Sequence, residues 1–466
     1  MTRLLILALA CVLLAPACTV GPSYKRPAVN NPSTFRGAGD ETNSLGDLAW
    51  WQLFQDPVLK DLIQTALTNN YDVRIAATRV EQSRALLAQA RSAFYPQIGY
   101  QGGIGAGKNV SAIGTPAFSG EGAGKALDFA GDVTWEIDLW GRIRRESESA
   151  RAQFFATEEA RRNVTISLIA GVAQTYFQLV TLDEEMSIAR DATNSFGQSL
   201  KIFSDRLHEG VASKLETSSA EAALDSAAAT IPEFRRQIVA QEDQLSVLLG
   251  VNPRDIYRHP GALLGMSLPQ IPPGLPSSLL ERRPDVREAE QLMISANAQV
   301  GVAVANYYPQ LSLTGLYGRV SPEFAALTSG ASVAWDAAAG LTGPIFEGGL
   351  LRAQERQARA AWNQARLQYQ YTLLQAFQEV SDSLSSREQL GIERELQSRS
   401  VAAYQEAVKV ARQRYQGGQA SYYELLQEQQ LLFPAENTLA LAHLNQLLAT
   451  VQLYKALGGG WISPRP

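Results

Sequence analysis

The chain has 466 residues, of which 45% are apolar, and a formal net charge of −5, so it has enough apolar material for two or three folded domains. The acidic balance argues against nucleic-acid binding. There is no Walker loop or HExxH spacing, and the three histidines stand in unrelated contexts, which argues against an enzyme. We therefore expect no catalytic residue, no metal site and no cofactor.

The first 17 residues have the pattern of an export signal. Arg3 supplies one positive charge, residues 4–14 are apolar, and small residues precede Cys18. Cleavage before Cys18 leaves 40 basic and 46 acidic residues, a net charge of −6, and a single cysteine that cannot form a disulfide within its own chain. We expect Cys18 to carry lipid, as in bacterial lipoproteins, and an incidental cysteine beside a plain cleavage site is the alternative. No later stretch of about 18 apolar residues free of charge stands out, so we expect no transmembrane helix.

Residues 18–56 are predicted to form a lipidated N-terminal tether, because they are rich in Pro, Gly, Asn and Ser and lack apolar periodicity. Its end carries an aromatic packing cluster of Trp50, Trp51 and Phe54. The sequence Asp56-Pro57 favours a helix start, since Asp caps a helix and Pro suits its first turn.

A first repeat is predicted over residues 57–250. It has helices, two strands at about 97–105 and 128–140, a long helix at about 142–207, a tip loop at 208–213 and a return helix. The long helix would reach about 100 Å at 1.5 Å per residue, so it must pack against neighbours of similar length. Its apolar residues step by three and four, which is typical of a coiled-coil seam.

A second repeat follows a proline-rich connector at residues 251–282. Asn70-Tyr71-Asp72-Val73-Arg74 matches Arg283-Pro284-Asp285-Val286-Arg287, and Phe94-Tyr95-Pro96-Gln97-Ile98 matches Tyr307-Tyr308-Pro309-Gln310-Leu311. This repeat covers residues 283–457, with strands at about 310–318 and 332–345, a long helix at about 349–416, a tip loop at 417–421 and a return helix. Residues 458–466 form a tail. The chain is therefore predicted to be a tandem duplication.

Both tip loops share one pattern, a glycine followed by Ser-x-x-Glu. The glycine suits a left-handed helix end, and Ser with Glu three residues later is typical of a capping box. We therefore predict capping boxes at Ser213 with Glu216 and at Ser421 with Glu424. Each loop reverses the chain at the far end of a long helix, where it would open or close the mouth of a tube.

The four strands alternate between an apolar face and a polar or small face over about ten residues, as membrane barrel strands do. Four strands cannot close a barrel, and open edges in lipid are costly, so copies of the chain must complete it. Two copies give eight strands and three give twelve. A water-filled duct favours three, because an eight-stranded barrel is filled by its own side chains. The alternative for these strands is a soluble hairpin packed by its apolar face.

Three groups of motifs, WWQLFQDPVLKDLIQTALTNN, LLERRPDVREAE with ANAQVGVAVANYYPQLSL, and the terminal ALGGGW, resemble the outer membrane factor (TolC-like) family. The branch is that of the efflux lipoproteins of tripartite resistance-nodulation-division systems. The resemblance implies a mainly α fold with membrane β, forming a homotrimer with a 12-stranded outer membrane β-barrel and a periplasmic α-helical barrel. It also implies that residues 18–56, 251–282 and 458–466 form an equatorial belt.

The function implied by the resemblance is a passive exit duct for small toxic compounds, anchored in outer membrane lipid. The duct would join a periplasmic adaptor protein and an inner membrane transporter. A type I protein secretion duct is one alternative, and a lipid-anchored periplasmic coiled-coil scaffold without a pore is another.

The resemblance also implies roles for individual residues. Adaptor contact is expected at the two tips, namely at Gly210, Val211, Ala212, Ser213, Gly418, Gln419, Ala420 and Ser421. Pore constriction candidates lie at the start of the last long helix, namely Tyr423, Glu424, Gln427 and Gln430. The family has an acidic residue where Gln427 stands and a basic one where Gln430 stands. A capping role for Glu424 is therefore the alternative to a role in the pore.

Overall fold

The computed structural model describes residues 19–29, 35, 50–107, 124–211, 213–266, 279–321, 324–328 and 332–459. Cys18, Ala212 and most of the predicted tail lie outside the described residues. The chain divides into two compact units. Unit 1 combines Met1–Ala28, Arg79–Glu158 and Glu288–Gln370, and unit 2 combines Val29–Thr78, Glu159–Arg287 and Tyr371–Pro466.

The first half of the chain forms five helices and two strands within the described residues. They are α1 (Trp50–Leu53), α2 (Pro57–Asn69), α3 (Tyr71–Ser92), β1 (Gln97–Gly107), β2 (Gly124–Ile137), α4 (Arg142–His208) and α5 (Lys214–Leu248). The second half continues with α6 (Ala262–Gly265), α7 (Leu279–Arg282), α8 (Pro284–Ala305), β3 (Gln310–Ser321), a 3-10 turn (Ala325–Thr328), β4 (Val333–Thr342), α9 (Leu350–Gln416) and α10 (Tyr422–Ala456).

The two halves repeat each other in length. Helices α4 and α9 both have 67 residues, α5 and α10 both have 35, and α3 and α8 both have 22. Arg142 opens α4 as Leu350 opens α9, and Lys214 opens α5 as Tyr422 opens α10, a shift of 208 residues in each case. Equivalent positions in α4 and α9, and in α5 and α10, therefore differ by 208 residues.

Short polar contacts fix the starts of the first helices of unit 2. The Asp56 carboxylate accepts hydrogen bonds from the Val58 and Leu59 amides, which caps α2 ahead of Pro57. Asn70 is buried, and its side-chain oxygen accepts from the amides of Asp72 and Val73. Its Nδ2 donates to the Leu248 carbonyl at 2.9 Å, so one side chain ties the start of α3 to the end of α5.

The sheet of unit 1 is antiparallel with the order β1-β2-β3-β4. Strand β2 pairs Val133 with Ile98 of β1 and with Gly315 of β3, and β3 pairs Gly315 with Ala337 of β4. Faces therefore align across all four strands, as the alternating sequence predicts.

Several strand ends differ from the sequence prediction: β1 and β3 end two to three residues later, β2 begins four residues earlier, and β2 and β4 end three residues earlier. Strand β2 ends at Ile137 instead of about residue 140, because the Asp138 carboxylate accepts from the Arg144 amide at 2.9 Å and so caps α4. Strand β4 ends at Thr342 instead of about residue 345, ahead of Pro344, which has no amide to donate to a ladder.

The expectation of no membrane-spanning helix needs a correction for α4. By length and composition alone, this helix contains an 18-residue window apolar enough to cross a membrane, and 67% of that window is buried. Tyr176, Phe177 and Leu179 of α4 lie in the core of unit 2, and the Phe177 ring packs against Phe54. Core packing therefore accounts for the apolar character of α4.

Candidate functional site

One face of the four-stranded sheet is apolar and exposed. Ile98, Tyr100 and Ile104 of β1 are 79%, 83% and 86% exposed. Tyr317 of β3 lies opposite Trp335 of β4, and both rings are also exposed. A monomeric soluble protein rarely exposes a continuous apolar surface of this kind, so the face is suited to lipid.

The opposite face carries carboxylates and small residues. Asp132 of β2 and Asp336 of β4 flank Leu316 of β3 in register. A side chain at Gly99 would bring its Cβ within 2.9 Å of the Asp132 carboxylate, and one at Gly103 would lie equally close to the Asp128 carboxylate. The glycines of β1 therefore leave room for the acidic side chains, which agrees with their sequence interpretation as small strand residues.

Strands β1 and β4 form the two edges of this sheet. Within the described residues, each edge strand has one side of its backbone without a partner strand. Such edges are templates for pairing with another chain, and in lipid they would be costly to leave open.

An aromatic and charged junction lies between the strands and the long helices. Trp140 stacks on Tyr308 with ring centroids 4.7 Å apart, and its Nε1 donates to the Pro309 carbonyl at 2.8 Å. Arg142 donates to both carboxylate oxygens of Glu136, at 2.9 and 2.6 Å. These contacts fix the direction in which α4 leaves β2.

The segment after Cys18 is bound to the same junction. The Val20 amide donates to the Trp140 carbonyl at 3.1 Å. Further on, Arg26 donates two hydrogen bonds to the buried Glu290 carboxylate, at 2.6 and 2.5 Å, and the Tyr24 hydroxyl donates to it at 2.8 Å. Burial raises the pKa of Tyr24, and the hydrogen bond to Glu290 raises it further. Val20 is thus held close to the strand ends.

The first tip has the predicted cap. Gly210 takes the left-handed conformation with φ of 74°, and Val211 is exposed. Ser213 and Glu216 form a capping box, in which the Ser213 amide donates to Glu216 Oε2 at 2.7 Å and the Glu216 amide donates to Ser213 Oγ at 3.3 Å. Both interactions order the start of α5.

The second tip differs, and the predicted capping box there is wrong. Gly418 is left-handed with φ of 71°, and Gln419 donates its amide to the Arg414 carbonyl. Ser421 precedes α10, but its side chain makes no capping hydrogen bond. The Glu424 carboxylate lies 3.7 Å from the Arg414 guanidinium instead. Ala420, the remaining predicted contact residue of this tip, is half-buried.

A group of buried side chains, here called the tip cluster, joins all four long helices near these loops. Its members are Phe196, Phe203, Ala220, Ala223, Ala227, Val408, Ala411, Tyr422, Leu425 and Leu426. Phe203 meets Tyr422 edge to face, with centroids 3.8 Å apart. Arg206 donates to the Tyr415 hydroxyl at 2.7 Å beside this pair.

The pore candidates lie outside the buried face of α10 that packs in the tip cluster. Tyr423, Glu424, Gln427 and Gln430 are all exposed, whereas Tyr422, Leu425, Leu426 and Gln429 are buried. Gln430 also borders an open groove of about 430 Å³ with Phe196 and Phe433. The helix thus separates a buried packing face from a solvent-exposed polar stripe that holds all four candidates.

Unit 2 also contains an acid-lined cavity of about 750 Å³ between α4, α9 and α10. Burial raises the pKa of Glu436, and the neighbouring Asp191 and Glu184 add to the effect while a hydrogen bond from Gln405 opposes it. Burial also lowers the pKa of His443 on the same wall, and the charge of Arg394 lowers it further. Burial also raises the pKa of Glu184, so the cavity disfavours the charged forms of these two glutamates.

Sequence reasoning missed the side chains that connect the helices. Arg258 binds Asp183 of α4 and Glu242 of α5, and Arg283 binds Asp285, Glu379 and the Ala456 carbonyl. A proline-rich connector and an ERRPD motif mark these arginines, and Asp285 lies within the motif itself. The other partners are too distant in sequence to be found from spacing. The same holds for Arg206 and Tyr415.

A family profile, sequence relatives and a solved structure all point to one protein family. The profile of the outer membrane efflux protein family matches residues 62–251 and 275–459, one match in each repeat. The probable efflux pump outer membrane protein TtgC of Pseudomonas putida is 33% identical, covering 99% of this chain and 96% of the relative. The probable outer membrane lipoprotein SilC of Salmonella typhimurium is 30% identical, covering 99% of this chain and all of the relative.

A solved structure of the outer-membrane channel OprN superposes with a TM-score of 0.86 at 29% identity, covering 95% of this chain and 100% of OprN. Its fold and the two family matches agree with the duplicated strand and helix pattern described above. The chain therefore belongs to the outer membrane efflux protein family and functions as an outer membrane efflux channel.

Proposed function

We propose that three copies of the chain form a passive duct for small toxic compounds, with twelve strands in the outer membrane and the long helices in the periplasm. The observation that carries this proposal is a four-stranded sheet with an exposed apolar face, a carboxylate-bearing face and two open edges. Copies that pair β4 with β1 of the next chain leave no edge in lipid. Twelve strands leave a water-filled lumen, whereas eight do not.

The duct itself is passive. The energy for export comes from an inner membrane transporter, which is joined to the duct through a periplasmic adaptor. TtgC, a relative of this chain, is described as part of an efflux pump, which supports such an assembly. The adaptor meets the tips at Gly210, Val211, Ala212 and Ser213 and at Gly418, Gln419, Ala420 and Ser421. Exposed Val211 and the left-handed glycines support this assignment, because they make two compact, solvent-facing turns.

Cys18 carries the lipid anchor. Val20 is hydrogen bonded at the junction between β2 and α4, so acyl chains on Cys18 start beside the strand ends, where a bilayer surface would lie. SilC is described as an outer membrane lipoprotein, which agrees with this anchor. The sheet holds the protein in the membrane independently of the lipid, since the exposed apolar face remains without it.

Two measurements test the duct. The purified chain in planar bilayers should give stepwise ion currents, and a Cys18→Ala variant should remain in the outer membrane fraction while losing its acyl mass. A periplasmic scaffold without a pore would give no current, and its Cys18→Ala variant would be released in soluble form.

The adaptor assignment has its own test. Photo-crosslinkers at positions 212 and 420 should capture the adaptor, whereas one at exposed Tyr257, in the connector of unit 2, should not. Absence of adducts at both tip positions, with the chain correctly inserted, would contradict the assignment.

A further inference from the structure

The acid-lined cavity of unit 2 has the size of a small-molecule site and has no part in the duct proposed above. Its volume of about 750 Å³ lies within the range of roughly 300–1,000 Å³ that is typical of pockets for drug-sized molecules. Helices α4, α9 and α10 form its walls, and Leu263 of α6 adds to them. These walls all belong to unit 2, so a single chain supplies them.

Three carboxylates of the cavity have no cationic partner. Glu184 and Asp191 lie seven residues apart on α4, and both act electrostatically on Glu436 of α10. Within the described residues none of the three forms an ion pair, and Glu436 accepts one hydrogen bond, from Gln405 Nε2 at 3.0 Å. A ligand that brings a positive charge would relieve the repulsion among them.

The two arginines of the cavity are directed to other groups. Arg394 Nη1 donates to Gln446 Oε1 at 2.8 Å, and the Arg399 guanidinium lies 4.0 Å from the Glu395 carboxylate. The lining therefore holds two arginines against four carboxylates, which gives a formal charge of −2 with its histidine neutral. An anion would meet a net negative lining, so the cavity favours a cation.

His443 adds a buried hydrogen-bond acceptor to the cavity. Its side chain is part of the lining and is 8% exposed, and its Nε2 lies 3.1 Å from the Met266 carbonyl. A carbonyl can only accept, so Nε2 carries the proton and Nδ1 is an acceptor. Burial lowers the pKa of His443 and the charge of Arg394 lowers it further, which keeps the ring neutral. Nδ1 has no hydrogen-bond partner in the part of the chain that the structure describes.

An apolar strip separates the two polar ends of the cavity on α10. Glu436, Leu439 and His443 are spaced by three and four residues, so they lie on one face of the helix. Seven residues along a helix span about 10 Å, and Leu439 occupies the middle of that length. Leu263 of α6 also lines the cavity and is buried. A ligand that reaches both ends is therefore elongated and apolar in its centre.

We propose that this cavity binds an organic amine in its ammonium form. The ammonium group lies at Glu436, between that carboxylate and those of α4. The apolar body lies over Leu439, and an N–H or O–H group donates to His443 Nδ1. A bare metal ion is a poorer occupant, because no group of three His, Cys, Asp or Glu side chains in the described residues is placed to hold one. The site is formed within one chain, so it depends neither on the trimer nor on the cargo of the duct.

Tryptamine tests the proposal, because it combines an ammonium group at neutral pH with an apolar ring and an indole N–H. Tryptophol is the matched ligand without charge, since a hydroxyl replaces the amine. 1-Methyltryptamine keeps the ammonium group but lacks the indole N–H donor. Binding of each compound is measured by equilibrium dialysis on the full-length protein in lipid nanodiscs, with empty nanodiscs as the blank for partition into lipid.

We expect saturable binding of tryptamine that is about tenfold tighter than binding of tryptophol, because a hydrogen bond to a charged group contributes more than a neutral one. Glu436→Gln should weaken tryptamine binding about tenfold and leave tryptophol binding unchanged. His443→Phe should weaken tryptamine binding about fivefold and leave 1-methyltryptamine binding unchanged, because only the indole N–H uses Nδ1. The control Glu233→Gln removes an exposed carboxylate of α5 outside the cavity lining, and it should change none of these affinities.

Equal affinity of the wild-type protein for tryptamine and tryptophol would overturn the proposal, and this comparison needs no variant. Unchanged tryptamine affinity in folded Glu436→Gln would overturn it as well. Circular dichroism identifies a variant that fails to fold, and Glu184→Gln then replaces Glu436→Gln with the same expected loss. Bilayer current is not part of this test, so a failure of binding leaves the proposed duct to its own measurements.

Discussion

The two tips offer a matched pair of substitutions at equivalent positions. Ser213 accepts the Glu216 amide at 3.3 Å and donates its own amide to the Glu216 carboxylate, whereas Ser421 makes no side-chain cap. Loss of a serine cap costs about 1 kcal/mol. We therefore expect Ser213→Ala to weaken the first turn of α5 by about 1 kcal/mol and Ser421→Ala to leave the first turn of α10 nearly unchanged.

Amide hydrogen exchange of the purified protein in detergent measures this difference, because it reports local opening at the helix start. In Ser213→Ala, amides of residues 214–217 should exchange about fivefold faster, the factor that corresponds to about 1 kcal/mol. Amides of residues 422–425 in Ser421→Ala should keep their wild-type rates. Equal acceleration at both tips would refute the distinction between the two caps, as would no acceleration at either.

Three further substitutions address the contacts inside each unit. Arg258→Met leaves the Glu242 carboxylate, whose side chain is only 10% exposed, without its charged partner, and should cost about 3 kcal/mol, seen as a lower temperature of helix loss by circular dichroism. Trp140→Phe retains a ring on Tyr308 but loses the hydrogen bond to the Pro309 carbonyl, and should lower the free energy of unfolding by about 1 kcal/mol in the same assay. An unchanged unfolding temperature would show that this hydrogen bond does not contribute to stability. Because the pKa of Glu436 is raised above 4.5 on folding, its contribution to stability is present below that pH and is lost as the pH rises through the raised value. Glu436→Gln should therefore raise the unfolding temperature near neutral pH and not below pH 4.5, and a stabilisation that does not change with pH would contradict this origin.

The sequence predicted the repeated elements well because their patterns are local. Alternation in DVTWEI and the absence of proline from residue 142 to 208 identify β2 and α4 without knowledge of any partner. The exposed apolar row on β1 follows from the same alternation. The equal length of α4 and α9 follows from the duplicated motifs at their ends.

The second cap shows what the sequence could not predict. Ser213 and Ser421 share the same spacing to a glutamate, and the outcome depends on an arginine from the preceding helix. Arg206 is held by Tyr415, so Glu216 is free to cap. The equivalent Arg414 pairs with Glu424, which removes that carboxylate from the cap. Such a competition depends on how the helices are aligned, which local spacing does not contain.

The matched lengths of the long helices restrict how the chain can change in evolution or by engineering. Deleting one residue from α4 alone would shift everything beyond it by about 1.5 Å and rotate it by about 100°, while α9 kept its phase. Neighbouring helices would then present mismatched side chains. A shorter or longer periplasmic reach therefore requires equal insertions or deletions in α4, α5, α9 and α10, in whole heptads, so that each helix keeps its packing face.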